Sequence, residues 1–382
     1  MRKKILIIAG ETSGDTHGAA LVSHLRLLLP DVRIVGIGGN KMADAGMHLL
    51  YHIKEMSLMG FAEVVKHLPF IKGVMDSMVR WAQEHKPDAV ILIDYPGFNL
   101  RFARRMRKFE IPVYYYISPQ VWAWGQRRLR KMQRLVHKIF VIFPFEEQLY
   151  KDHQIPVEFV GHPLAEEVQD VQSREEFFRN TGGDPQATTI GLLPGSRKQE
   201  IDRHLTVMFQ SVKELQSAVS RPLQFLLALA PDLSLADLDG HLPPGDIQVV
   251  QGYTYEVMKY SQVVIVASGS ATLETAYFGT PMVIIYRMNP LTWWLGHLLV
   301  RMDYIGLANI VAGKKVVPEF LQDQAISKNI APAVVRYLED PEHYHSVQNA
   351  LSEIREKLGE PGAGKRVAVS IAHELQNSGR EI

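Results

Sequence analysis

The sequence contains no cysteine, which excludes disulfide cross-links, thiolate nucleophiles and cysteine-ligated zinc. It also lacks any apolar run approaching the roughly 20 residues that a membrane-spanning helix needs. The basic start MRKKILIIAG carries an apolar run too short for the hydrophobic region of a secretory signal. That run reads as a first β-strand, and the expectation is a cytoplasmic protein, soluble or peripherally attached to a membrane. Net charge is nearly absent, 42 Lys and Arg against 41 Asp and Glu, so no global nucleic-acid signature exists. A G-x-G-x-x-G dinucleotide fingerprint is missing after the first strand. What remains is length: 382 residues predict two domains, each able to bury its own core.

The first half alternates apolar runs with glycine-bearing loops. Lys4 to Ala9 reads as a strand, followed by Gly10-Glu11-Thr12-Ser13-Gly14-Asp15 and a helix over 17–29. Thr12, Ser13 and Asp15 are also good helix caps. A second strand ends in Gly36-Ile37-Gly38-Gly39. The Met- and Phe-rich stretch Met56 to Met75 reads as core or as an acyl-facing patch, with Pro69 splitting any single helix. Ala89 to Ile93 is an apolar strand ending at Asp94. Ligands in open parallel sheets sit beyond the carboxyl ends of strands, so a carboxylate there is placed to take a proton from an attacking hydroxyl; capping the next helix is the competing role. Between Arg101 and Lys138 there are eleven Lys and Arg and one acid, Glu110. With the segment SPQVWAWG (118–125), that basic stretch suits anionic lipid headgroups, nucleobases or simple solvation, and a helix is expected over 126–138.

Residues 170–189 are polar and turn-rich and read as a linker. The second half then opens like the first: strand Ile190 to Leu193, turn Pro194-Gly195-Ser196, and Arg197 ahead of a helix beginning near Glu200. Such a junction offers free backbone N–H groups and the positive end of a helix dipole, and Arg197 adds a fork suited to a diphosphate. A second junction of this kind is Ser268-Gly269-Ser270-Ala271-Thr272, with Glu274 placed to accept both ribose hydroxyls. Two phosphate-friendly helix starts in one domain argue for a nucleotide. The segment LTWWLGHLLVRM (291–302) suits a membrane interface or a buried helix. Near the end, GEPGAGKR (359–366) almost matches a phosphate loop, but Arg366 stands where the Mg²⁺-binding hydroxyl belongs, and a helix-like segment precedes it. It reads as a turn before a last helix over 366–375. The pairs His48/His52 and His343/His345 lack zinc-motif context, so no metal site is expected.

In this order, GETSGD (10–15), GIGGNKM (36–42), MGFAEV (59–64), DYPGFN (94–99), SPQVWAWG (118–125), FVGHPL (159–164), LLPGSRKQEI (192–201), SGSATLE (268–274) and NIVAGKKVVPEFLQ (309–322) resemble lipid-A-disaccharide synthase over almost the whole chain. The resemblance implies an α/β GT-B fold of two facing Rossmann-like domains. Expected boundaries are 1–170 for an acceptor domain, 171–345 for a UDP-sugar donor domain, and 346–382 for C-terminal helices packing back on the first domain or on a partner subunit. It implies an inverting, cofactor-free transfer from UDP-2,3-diacylglucosamine to 2,3-diacylglucosamine 1-phosphate at the inner face of the inner membrane, with a homodimer as a possible assembly. Asp94 is implied as base, Arg197 and the 268–272 helix start as diphosphate stabilisers, Glu274 as ribose ligand and Asn309 as a donor-side residue. Glu11, Ser13, Asp15, Ser196, Gly269, Ser270, Ala271 and Thr272 complete the candidate substrate contacts. Two positions depart from the family pattern: Gly97 where a second acid is expected, and Ala308 where a proline is. Competing readings are a UDP-amino-sugar epimerase, a peptidoglycan-precursor transferase, and a non-catalytic membrane- or RNA-binding protein.

Overall fold

The computed structural model describes residues 2–56, 61–124, 129–169, 171–230, 233–238, 244–289 and 303–377. The chain divides into two compact units, Met1–Glu166 with Leu358–Ile382, and Glu167–Lys357. The sequence reading placed these boundaries at 170 and 345.

The first unit runs β1 (Lys4–Ala9), α1 (Thr12–Leu28), β2 (Arg33–Gly38), α2 (Asn40–Asp44), β3 (His48–His52), α3 (Phe61–His85), β4 (Ala89–Ile93), α4 (Pro96–Met106), β5 (Val113–Tyr116), β6 (Lys138–Val141), α5 (Pro144–Asp152) and β7 (Val157–Phe159). Its strands form one parallel sheet in the order β3-β2-β1-β4-β5-β6-β7. The central strands are apolar on both faces because helices cover both sides: every residue of β4 is buried, as parallel sheets require. Gly36 in β2 has φ +153, and a Cβ there would collide with the Ile7 carbonyl of β1.

The second unit runs α6 (Arg174–Thr181), β8 (Thr188–Leu193), α7 (Lys198–Ala218), β9 (Leu223–Leu229), β10 (Ile247–Gln251), α8 (Thr254–Tyr260), β11 (Val263–Ala267), α9 (Ser270–Tyr277), β12 (Met282–Tyr286), α10 (Leu307–Ala312), β13 (Glu319–Leu321), α11 (Ser327–Glu339) and α12 (Pro341–Lys357). Its sheet order is β10-β9-β8-β11-β12-β13. In both sheets the winding direction reverses beside the opening strand, between β1 and β4 and between β8 and β11. Those reversals are where doubly wound sheets leave a crevice for ligands. The sequence signals at 10–15, 94–99, 194–197 and 268–272 all fall on these two crevices.

The last helix, α13 (Ala363–Asn377), returns to the first unit and packs on α1. The approach is close enough that a Cβ on Gly364 would sit 3.1 Å from the Ala20 Cβ and 3.2 Å from the Leu21 backbone nitrogen. Glu166 anchors its start, one carboxylate oxygen accepting the N–H groups of Gly362 at 2.7 Å and Ala363 at 2.6 Å.

Several expectations need correcting. Pro69 does not split its helix, because α3 runs through it. Burial of Val74, Met75, Met78 and Ala82 downstream outweighs the one hydrogen bond proline removes. The basic stretch is not helical to Lys138: of its described residues Leu129–Met132 is helical, and Lys138 opens β6, because Ile139 and Val141 are needed in the core. The supposed linker contains α6, whose Ser173 N-cap accepts the Glu176 N–H at 3.2 Å and which closes on Gly182 at φ +75. The segment 291–302 lies outside the described residues; among the described residues no helix is long and apolar enough to cross a membrane.

Candidate active site

In the first unit the crevice is built from the loops after β1 and β4. Asp94 and Tyr95 leave β4 with φ +44 and +47, a left-handed pair uncommon for residues bearing a Cβ and kept only where surroundings over-determine it. Here the Asp94 carbonyl accepts the Tyr115 hydroxyl at 2.7 Å and the Asn99 side-chain amide at 2.8 Å. The Asp94 N–H is held by the Tyr116 carbonyl at 3.1 Å. The turn lays the Tyr95 ring over Gly10, where any side chain would collide with it. The backbone so locked presents the Asp94 carboxylate half-buried at the sheet's carboxyl edge. Tyr95, not Asp94, occupies the N-cap position of α4, and it makes no side-chain cap hydrogen bond, which removes capping as Asp94's role. Burial, and then the Glu11 carboxylate, push the Asp94 pKa up to about 6, against a hydrogen bond from the Tyr95 N–H. A carboxyl raised into that range suits general-base chemistry near neutral pH. Gly97, where the family acid was expected, faces open space.

Of the other first-unit candidates, Glu11 and Ser13 are exposed at the start of α1. Asp15 is buried and accepts the N–H groups of Gly39 at 2.7 Å, Met42 at 3.0 Å and Lys41 at 3.2 Å. Its carboxylate thus caps α2 and shapes the crevice from behind.

In the second unit the crevice is a cavity of roughly 790 Å³ lined by Gly195, Ser196, Arg197, Gly269, Ser270, Ala271 and Glu274, with Glu167, Tyr255 and Tyr286. Among the described residues no acceptor is found for the N–H groups of Gly269, Ser270 and Ala271, so the start of α9 offers an anion-binding nest. The other corner differs from the sequence expectation. Glu200 reaches back as a capping box and takes the Ser196 N–H at 2.9 Å and the Arg197 N–H at 3.3 Å. Those N–H groups are therefore not free. The anion-binding capacity at this corner lies in the Ser196 hydroxyl and in the Arg197 guanidinium, which is 82% exposed and 3.6 Å from Glu200. Burial pushes the Glu274 carboxyl up, opposed by a hydrogen bond from Ser270 and reinforced by Glu167.

Two candidates stand away from the cavity lining. Thr272 is fully buried, its hydroxyl donating to the Gly269 carbonyl at 2.8 Å, which shapes the turn. Asn309 is also fully buried and spends its whole hydrogen-bonding capacity internally. It donates to the Val317 carbonyl at 2.9 Å and Glu319 at 2.8 Å, and it accepts from Val316 at 2.7 Å and Val317 at 3.0 Å. Sequence reasoning missed Tyr115, Tyr255, Tyr286 and Glu167. Only Tyr255 and Tyr286, beside strand ends, carried a positional signal. Among the described residues no three His, Asp or Glu side chains converge as a metal site needs.

The family described as lipid-A-disaccharide synthetase matches residues 5–371. Relatives named lipid-A-disaccharide synthase include those of Syntrophus aciditrophicus, 44% identical over 98% of this chain and 99% of that protein, and of Geobacter metallireducens, 43% identical over 98% and 97%. Among solved structures, UDP-GlcNAc 2-epimerase from Neisseria meningitidis bound to UDP-GlcNAc aligns with TM-score 0.64 at 13% identity over 97% of this chain and 100% of that one. The calicheamicin glycosyltransferase CalG4 aligns with TM-score 0.61 at 16% identity over 99% of both chains. The structural likenesses establish two parallel-sheet Rossmann-like domains of the GT-B kind. The near full-length match in sequence goes further: the chain belongs to the lipid-A-disaccharide synthase family.

Proposed function

We propose that the chain transfers 2,3-diacylglucosamine from UDP-2,3-diacylglucosamine to the 6-hydroxyl of 2,3-diacylglucosamine 1-phosphate, giving the β(1→6) disaccharide 1-phosphate and UDP. The observation that carries the site assignment is the second-unit cavity, which joins a free-amide helix start, an exposed Arg and a buried carboxylate in a chain of this family. Asp94 takes the proton of the acceptor 6-hydroxyl as its oxygen attacks the anomeric carbon from the face opposite the diphosphate. The bond from that carbon to the phosphate oxygen breaks, and its electron pair leaves with UDP. Charge then builds on the diphosphate, where the α9 amides and Arg197 stabilise it. Glu274 accepts the ribose hydroxyls. Asp15, Thr272 and Asn309 serve by holding loops rather than by touching substrate, and Glu11 tunes Asp94. The solved epimerases share the fold, but an epimerase needs no acceptor; that reading is not favoured.

The first unit also supports a peripheral membrane role. Arg101, Arg104, Arg107 and Lys108 are exposed on and just after α4, and Arg105 pairs with Asp76 of α3 at 2.6 Å, on the helix that exposes Phe70. A basic face beside an apolar tip suits the anionic cytoplasmic leaflet that would supply acylated substrates.

The test is mass spectrometry of purified protein given both substrates in detergent. Disaccharide 1-phosphate appearing with equimolar UDP supports the reaction. UDP binding without product refutes this acceptor and leaves a UDP-sugar site. Sedimentation with anionic but not neutral vesicles, reversed by salt, tests the surface.

A further inference from the structure

His204, on α7, is fully buried, and both of its ring nitrogens are engaged. Nδ1 lies 2.8 Å from the Pro194 carbonyl oxygen, and Nε2 lies 3.0 Å from the Arg287 backbone nitrogen. A carbonyl only accepts and a peptide N–H only donates, so Nδ1 carries the hydrogen and Nε2 presents its lone pair. The ring is consequently neutral and in one tautomer. Pro194 opens the turn leading to Ser196 and Arg197, and Arg287 directly follows Tyr286, itself 5.9 Å from the imidazole ring centre to centre. These two chain positions follow β8 and β12, which are not neighbours, since β11 lies between them. The imidazole therefore bridges over β11 and ties together the two walls that flank the 268–271 nest.

We infer that His204 is a positioning residue of the donor site, holding the Arg197 corner and the Tyr286 wall at the separation the diphosphate requires, and able to do so only as a neutral Nδ1–H imidazole. The inference rests on the donor-site reading above. Protonation would place a hydrogen on Nε2, facing the Arg287 N–H, and would break the bridge on that side. The surroundings oppose it: burial lowers the proton affinity most, with Arg287 and, on the same helix, Arg203 acting the same way against the Pro194 carbonyl and Glu200. Arg197 sits on the same turn. Among the described residues His204 is the acceptor for the Arg287 N–H, so an aliphatic replacement leaves a part-buried donor and a buried carbonyl without their shared partner.

The experiment combines UDP titration calorimetry, donor and acceptor KM, and ¹⁵N-histidine NMR on the full chain with His204→Leu, His204→Asn and His204→Gln. His204→Leu is expected to weaken UDP binding about tenfold or more and to raise the donor KM while the acceptor KM stays within twofold. Asn keeps a donor near the Nδ1 position, and Gln an acceptor near Nε2, so each recovers part of the loss. In the wild type, the imidazole whose signals vanish in all three variants stays neutral as the Nδ1–H tautomer at pH 6, where exposed histidines are mostly charged. If the wild type binds UDP and His204→Leu binds it equally, the inference fails. It fails also if donor and acceptor KM rise together, the mark of a general packing role, or if the histidine whose signals vanish in the variants titrates near 6.5. If His204→Leu does not fold, the Asn and Gln variants and the NMR tautomer decide the same question. A wild type that binds no UDP removes the donor-site reading itself.

Discussion

Asp94 carries the most exposed prediction. With its pKa raised from 3.8 to about 6, the fraction ionised is about nine tenths at pH 7 and about one tenth at pH 5. A reaction that needs the carboxylate should then lose about tenfold in kcat across that interval, with the acid limb centred near 6. An unperturbed aspartate would place the limb two pH units lower. Glu11 is the second cause of the raised value, so Glu11→Gln should move the limb to lower pH. Gly97→Asp adds a carboxylate in open space and should move it higher. Asp94→Asn is the control of choice, because Asn tolerates the left-handed backbone that position 94 adopts. It should lower kcat by about 10²–10⁴-fold while UDP affinity and melting temperature hold. The assay is initial-rate disaccharide formation from pH 4.5 to 8.5 at saturating donor and acceptor. Substrate phosphates also titrate near 6, but their limb would stay put when Glu11 is changed. An Asp94→Asn enzyme within tenfold of wild type, or a limb unmoved in Glu11→Gln, would refute the assignment.

The remaining predictions test neighbouring structure. Arg197→Ala removes an exposed guanidinium that the proposed reaction sets against the diphosphate, so kcat should fall on the order of 10–100-fold with the thermal melt unchanged by calorimetry; unchanged kcat would exclude a role at the leaving group. Glu146 is buried among the Ser118 hydroxyl at 3.2 Å, the Trp122 indole at 3.1 Å and the Phe143 N–H at 3.4 Å, and burial raises its pKa from 4.5 to about 7. The folded state thus holds a proton that the unfolded state releases, so its contribution is full below pH 4.5 and is lost as pH rises through 7. Urea melts should show Glu146→Gln gaining on wild type between pH 5 and 8 by on the order of 2 kcal/mol, whereas a pH-independent difference would contradict that linkage. Gly364→Val drives a branched side chain into the α1 backbone and should cost about 1–3 kcal/mol in the same melts; wild-type stability would mean that α13 sits farther from α1.

Much of the fold was legible because parallel strands buried on both faces leave continuous apolar runs. Ile190 to Leu193 and Val263 to Ala267 are examples, each followed by small residues at a crevice. The strand order, with its reversal beside the opening strand, does not show in local pattern; it follows from which strands meet over long range. The site was legible where chemistry and position coincide, as at Asp94. It was misread at Ser196 and Arg197, where a residue three or four places on, Glu200, takes the N–H groups assumed to be free. A Glu at that spacing is a capping-box signal, and it was there to be read. Asn309 shows the opposite limit. A polar residue in an apolar stretch demands partners, yet nothing local says that Val316, Val317 and Glu319 supply all of them. Pro69 was over-weighted, since local helix breaking loses to a well-buried downstream half.

The placement of α13 has a consequence for synthesis. A ribosome releases the chain from its N-terminus, yet the first unit lacks the helix that covers part of α1 until residues 363–377 emerge. By then the whole of the second unit has been translated and is free to fold. The usual order, N-terminal domain first, is therefore reversed for completion: the later-made unit is finished first, and the earlier one waits with an apolar face of α1 uncovered. A nascent chain stalled before residue 363 should accordingly depend on chaperones far more than the released protein does.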